Sequence, residues 1–377
     1  MNKLLLTSQL TTHYSPLTIH YMKNSIILKI HAAAGLLSGL FILLMSISGS
    51  ALVFNEELDN WQHPVIFTQN DQPVLSIDSC YRSLQKRYPH AQVSHLNIAE
   101  NSSQPYVFTL YDSSYQSGTK SMQVFMHPQT GAVLQTRGGG KDIKHNAMGW
   151  LSVFHNSFHL GKKGEWLLGF FALIFLLSIA TGTILYRKKM GAVILLKKAV
   201  FTWSNLHQII GVYALLFNLM IGITGYWMQR YVFKKEFYAA EQPYTPVLKP
   251  SPSLFFRIDS AFEHMQKQHP AFTGYVIYFA QSKKGKTAVY GSRHTNSFIH
   301  SKKFADVIFF DSTGTIAKTA FVEKIDAGSR YDIINSQIHF GRYGGMPVKI
   351  LYSLLGLTSG LLSITGFALW LKRKSWK

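Results

Sequence analysis

"KIHAAAGLLSGLFILLMSISGSALVFNEEL", residues 29–58, opens with Lys29 and His31 and closes on Glu56 and Glu57. No Asp, Glu, Lys or Arg falls between positions 30 and 55, a length that at 1.5 Å per residue spans a hydrocarbon layer of about 30 Å. The stretch reads as a membrane helix with a histidine near one end and Ser48-Gly49 near the other. Eighteen residues separate His31 from Gly49, five helical turns, so both should share one face about 27 Å apart.

Three further runs free of charged residues follow, at 166–186, 199–229 and 350–371. All 18 acidic residues lie between Glu56 and Asp332, and none falls between 166 and 235. The connecting segments with Lys and no acid are the start, the joint at Arg187, Lys188, Lys189, Lys197 and Lys198, and the tail. These segments read as cytoplasmic. Both termini are then inside, and two large segments lie outside. The net charge of +20 follows in large part from this topology and requires no nucleic-acid partner. The single cysteine, Cys80, excludes an intramolecular disulfide. No CxxCH, Rossmann fingerprint, P-loop, HExxH or GxSxG is present, so covalent haem, nicotinamide or ATP binding and the common hydrolytic sites are not expected.

The two halves repeat each other. "IDSCYRSLQKRYP" at 77–89 aligns with "IDSAFEHMQKQHP" at 258–270, and "VFMHPQTGAVLQT" at 124–136 aligns with "VIFFDSTGTIAKT" at 307–319 on their Thr-Gly pairs. His31 matches His207, Gly49 matches Gly225, and Gly182 matches Gly366. The expected fold is membrane α-helical: four transmembrane helices from a parallel internal duplication, with two small α+β extracytoplasmic domains. Ile77, Cys80, Tyr81 and Leu84 form the apolar face of the first domain's helix, and a Thr-Gly hairpin follows.

The helix-then-hairpin unit resembles a PepSY module. The helices with "SISGSALVF", "SIATGTILY", "GITGYWM" and "SITGFALWLKRK", together with "IHFGRYGGMPVKILY" at 338–352, resemble the PepSY-associated transmembrane family over nearly the whole chain. On that resemblance the organisation is a disordered extension at 1–25, helix 1 at 26–55 and a PepSY-like outer domain at 56–147. An outer histidine segment with helix 2 follows at 148–187, then a cytoplasmic loop at 188–198 and helix 3 at 199–230. The second outer domain takes 231–335, the second histidine segment with helix 4 takes 336–372, and a cytoplasmic tail takes 373–377.

Characterised members of that family include inner-membrane ferric-siderophore reductases with two b-type haems. The resemblance therefore implies a multi-pass protein of the bacterial inner membrane that passes electrons to an outer acceptor such as a ferric siderophore, from a donor the sequence does not identify. The repeat supplies candidate ligands in pairs: His31 with His207 at the cytoplasmic side, and His339 with His155 at the outer side. His159, one turn from His155 and in a local text closer to that around His339, stays an alternative. Two imidazoles on one iron favour electron transfer over oxygen binding. The glycines of the helix stripes would form notches against which a flat macrocycle could lie. A PepSY-bearing binding or regulatory protein without redox activity remains the other reading.

Overall fold

The computed structural model describes residues 16–62, 64–65, 76–100, 103–111, 121–140, 142–195, 202–234, 255–282, 284–294 and 297–374, with the side chains of 16–24 and 374 left undescribed. The expected extension is shorter than 25 residues, because helix α1 runs from Pro16 to Leu52. Its first 15 residues lie outside the described residues, as do Lys197 and Lys198 of the basic loop, the last three residues of the tail and 235–254 of the second outer segment.

Among the described residues three helical stretches are long and apolar enough to cross a membrane: Ser25–Leu52 of α1, Lys162–Tyr186 (α5) and Gly345–Arg373 of the last helix, α11 (Gly345–Lys374). A fourth is possible only as a pair, α7 (Trp203–Tyr213) and α8 (Leu215–Gln229, continued by a 3-10 turn to Phe233), bent by 65° at Ala214. The single straight helix expected over 199–230 is thus broken. Ala214 is buried and has φ −92° and ψ 4°, outside helical values, and no proline stands at the break. The stripe from His207 to Gly225 therefore does not run along one face.

The bundle is closed by small residues. Helix α1 packs against α11, where Gly356 and Gly360 face Ser50 and Ser46. A Cβ on Gly356 would lie 2.6 Å from the Ser50 hydroxyl, and one on Gly360 would lie 2.8 Å from that of Ser46. Ser46 donates to the Gly356 carbonyl at 2.8 Å. Close approach of this kind drives helix association where lipid removes the hydrophobic incentive. The outward faces carry large apolar side chains, Leu37, Leu40, Leu216 and Leu354 among the most exposed, as a lipid-facing belt requires.

The two soluble segments are not separate caps. Their strands are β1 (Gln92–Asn97), β2 (Tyr106–Tyr111), β3 (Ser121–Met126), β4 (Val133–Gly138), β5 (Thr273–Tyr278), β6 (Thr287–Ser292), β7 (Asp306–Phe310) and β8 (Ile316–Ala320). They form one antiparallel sheet ordered β4-β3-β2-β1-β5-β6-β7-β8, in which β1 and β5 join the halves. The β3–β4 and β7–β8 turns contain Gly131 (φ 69°) and Gly314 (φ 83°), values that glycine adopts freely.

Helices α3 (Ile77–Arg87) and α9 (Ile258–Gln268) cover one face of the sheet. Leu96, Phe108, Leu110, Ile277, Ile308 and Phe310 of the sheet are fully buried beneath them, and Leu84 of α3 is fully buried against the sheet. Each such side chain contributes about 1.5–3 kcal/mol of transfer free energy. The helices meet N-terminus to N-terminus in a reciprocal exchange. Asp78 accepts from the backbone N–H of Ile258 and Asp259, and Asp259 accepts from those of Ile77 and Asp78, at 2.9–3.2 Å. Each carboxylate thus satisfies the first-turn donors of the opposite helix.

Candidate functional site

The four histidines share one local construction, built each time between two helices of the same half. His31 on α1 brings Nδ1 to 3.1 Å from the Thr181 hydroxyl on α5. His155, on the short helix α4 (Ala147–Ser157), reaches Ser48 on α1 at 2.8 Å. His207 on α7 reaches Thr365 on α11 at 2.8 Å. His339, on helix α10 (Ala327–Phe340), reaches Thr224 on α8 at 2.9 Å.

The direction of these bonds follows from what each hydroxyl does with its own proton. Ser48, Thr181, Thr224 and Thr365 donate to the carbonyls of Leu44, Leu177, Met220 and Leu361, four residues back, at 2.7–2.9 Å. Each oxygen is left to accept, so each imidazole carries its proton on Nδ1 and keeps the Nε2 lone pair for a metal. His31 has a second acceptor for that proton, the Ser178 carbonyl at 3.0 Å.

The residue after each hydroxyl is a glycine. A Cβ would stand 3.0 Å from the His155 ring at Gly49, 3.1 Å from His31 at Gly182, 3.1 Å from His339 at Gly225 and 3.5 Å from His207 at Gly366. These notches seat imidazoles, in place of the macrocycle expected there. Gly49 serves the histidine of α4 and is not the partner of His31, its stripe-mate. The opening stretch thus holds two half-sites: His31 belongs to the level far from the sheet, while Ser48 and Gly49 belong to the level near it.

Pairing then crosses between the halves. The His31 and His207 ring centres are 6.2 Å apart at an interplanar angle of 74°. Two imidazoles held by one metal ion, with bonds of about 2 Å and roughly 1 Å from each nitrogen to its ring centre, would have ring centres about 6 Å apart. Both histidines line a cavity of about 210 Å³ that also reaches Asn218 and Arg373. Gly35 and Gly211, one turn beyond each histidine, border it. A Cβ on Gly35 would meet nothing within 4 Å, and one on Gly211 only Leu362 at 3.7 Å. These two positions leave room beside the imidazole pair.

At the sheet-proximal level, His155 and His339 sit on helices that end in left-handed turns at Phe158 (φ 51°) and Gly341 (φ 61°). Loss of water on burial pushes both imidazoles down to about 4, and charge on His155 would depress His339 further, so both are neutral at pH 7. His159 does not share the construction. Its backbone is left-handed (φ 59°), its ring lies 4.6 Å from that of Trp150, and its buried Nε2 has no hydrogen-bond partner among the described residues.

Among the described residues no three His, Cys, Asp or Glu side chains converge as a metal site. The arrangement suits an ion whose other ligands arrive with a cofactor. The hydroxyl–glycine pairs escaped the sequence reading although the signal was there, a Ser-Gly or Thr-Gly dipeptide in each apolar run. The chain belongs to the PepSY-associated TM region family, whose model matches residues 28–373. None of the curated proteins compared with it matches significantly.

Proposed function

We propose that this PepSY-associated membrane protein carries electrons across the bacterial inner membrane through two b-type haem sites. The reading places His31 and His207 at the cytoplasmic level and His155 and His339 at the outer level. The observation that carries it is the fourfold repetition of one device: an imidazole with Nδ1 bonded to a committed hydroxyl and seated on a glycine. Such outer bonding orients a ligand and raises its basicity. Haem bound at each level would supply one-electron iron chemistry, with the two imidazoles favouring six-coordinate iron that does not take up oxygen.

The chain's own part is to hold the ligands and keep water out. Gly35 and Gly211 leave the inner level open to a flat group. Along α1, the 18 residues from His31 to Gly49 separate the levels by about 27 Å, so two sites cover a depth that one would not. The proposed donor is cytoplasmic or a quinol. The proposed acceptor is a ferric siderophore on the side of the sheet, reached with both termini inside. The reciprocal Asp78–Asp259 exchange and the sheet order support a parallel duplication, with its pseudo-twofold axis along the membrane normal.

The test is the absorption spectrum of the purified full-length protein. Two low-spin b-type haems are expected. His31→Ala and His207→Ala should remove the same one, His155→Ala and His339→Ala the other, and His159→Ala neither. Proteoliposomes loaded with an internal donor and given an external ferric siderophore should form ferrous iron, detected by an external ferrous chelator, and His207→Ala should slow it. A wild-type protein without haem bands removes the electron-carrier reading in favour of a PepSY-bearing binding or regulatory protein.

A further inference from the structure

The cavity beside His31 and His207 has two unlike ends. Toward the sheet it is lined by Ile42, Phe175 and Leu215, with the buried amide of Asn218, which lies 3.4 Å from the Thr358 hydroxyl. Away from the sheet it is bordered by Leu28, three residues before His31, by Tyr186, four after Gly182, and by Met190 of helix α6 (Met190–Ile194). Arg373 of α11 completes that end. It follows Gly366, the seat of His207, by seven residues, which is two turns less about 20°. Arg373 therefore stands on the same face of α11, about 10 Å beyond the imidazole level. Leu369 and Trp370 line the turn between.

Among the described residues that border the cavity, Arg373 is the one Asp, Glu, Lys or Arg. The other basic residues of this end, Lys29, Arg187, Lys188, Lys189 and Lys372, are exposed and do not border it. An excess of Lys and Arg at a cytoplasmic face accounts for those five, but does not call for a sixth to face inward. No Asp or Glu occurs in residues 28–42, 175–218 or 359–373, the segments that line the cavity, so none of them offers Arg373 a counter-charge. The sheet end of the bundle is matched differently. There the acids of helix α2 (Asn55–Gln62), which follows α1, pair with cations: Glu57 with Lys349 of α11 and Asp59 with Arg137 of β4, both at 2.6 Å.

A guanidinium at the edge of an apolar cavity suits a carboxylate. Its planar fork offers two parallel N–H donors, it stays charged at any physiological pH, and the attraction is stronger where water is sparse. The cavity therefore fits a ligand with an apolar body beside the two imidazoles and acid at one edge only. A b-type haem is such a ligand, since both of its propionate arms leave the same edge of the ring.

We propose that Arg373 is a cofactor-binding residue that holds the carboxylate edge of the macrocycle at the end far from the sheet. The apolar edge then points toward Ile42, Phe175 and Leu215. The proposal rests on the electron-carrier reading for the identity of the cofactor. What Arg373 adds to the two histidines is orientation: axial ligands alone leave the ring free to turn about the axis through them, and a fixed edge removes that freedom. A cation at that edge also favours ferrous over ferric iron, because the reduced site carries one positive charge fewer.

The test uses the full-length protein with His155→Ala and His339→Ala, so that only the level far from the sheet is filled. It is purified without haem and titrated with haem b or with haem b dimethyl ester, in which both carboxylates are methylated. Haem should bind about tenfold more tightly than the ester. Arg373→Gln should abolish that preference by weakening haem and leaving the ester unchanged, and Arg373→Lys should restore part of it. In the loaded protein Arg373→Gln should also lower the midpoint potential of this haem, which a merely structural role would not do. The comparison of the two porphyrins needs no change at Arg373, so it stands even where a variant inserts poorly. Equal affinity for both porphyrins, a preference that survives Arg373→Gln, or equal weakening of both by that substitution would each overturn the inference and leave the electron-carrier reading in place. Uptake of neither porphyrin would end both.

Discussion

The two histidine levels use the same parts in different settings. Far from the sheet, His31 and His207 stand within apolar helices and open on a cavity. Near the sheet, His155 and His339 come from short helices outside the four candidate spans. The first level takes its position from helix packing. The second depends on left-handed turns that bring α4 and α10 back onto the bundle. One device, a hydroxyl plus a glycine, can therefore orient an imidazole wherever two helices cross closely.

The strongest challenge to this comparison is to fill one notch. Gly49→Leu should displace His155 and abolish haem at the sheet-proximal level while leaving the other spectrum intact, since a Cβ alone already comes within 3.0 Å of the ring. Loss of both haems would mean that the levels are not independent.

Removing a hydroxyl should do less. Ser48→Ala and Thr224→Val should weaken haem affinity about 10–100-fold at their own level, as loss of an outer hydrogen bond to a metal ligand does. Thr181→Val should weaken it less, because His31 keeps the Ser178 carbonyl as an acceptor. Haem-transfer titration against apomyoglobin measures all three, and equal losses would discard the role given to Ser178.

Adding only a methyl grades the notches. Gly182→Ala and Gly225→Ala should cost about 1–3 kcal/mol in stability as overpacking, and Gly366→Ala clearly less, because its Cβ would have 3.5 Å of room. Thermal unfolding in detergent gives the order.

The smallest effect is expected at the junction of the sheet halves, away from both levels. Asp78 is buried, and desolvation together with Asp259 raises its pKa, although the Ile258 and Asp259 N–H groups pull it down. The folded state then binds more protons than the unfolded one between the unfolded and folded pKa values. Its contribution is therefore fully present below the unfolded pKa and fades as pH rises through the folded one. Melting temperature at constant salt should rise slightly as pH falls through the raised folded pKa of Asp78 toward its unfolded value, and Asp78→Asn should flatten that slope. A slope unchanged by the substitution would assign it to other groups.

Much of this architecture was legible in the chain. Runs without charge are set by the cost of ions in hydrocarbon, which acts on composition alone, so the apolar segments were evident. The helix face of Ile77, Cys80, Tyr81 and Leu84 was readable from its 3.6-residue period, and all four are buried. The bend at Ala214 was not, because it lies in a featureless apolar run and carries no proline. The repeat spacing favoured His155 in sequence, with His159, one turn on, as the alternative. The left-handed turn at Phe158–His159 separates them, turning His159 onto Trp150 and leaving His155 against Ser48.

The sequence by itself determined the membrane class, the family, the paired histidines and a dipeptide of hydroxyl and glycine in each apolar run. These are local properties, carried by composition, period and repeat. Only the tertiary structure decided which glycine serves which histidine and that the two segments between the helices share one sheet. Those outcomes depend on contacts between residues more than 100 positions apart, such as Ser48 with His155 and Thr224 with His339. A helical period specifies which face a residue occupies. It carries no information about which neighbour that face will meet, because that is settled by the packing of all the helices at once.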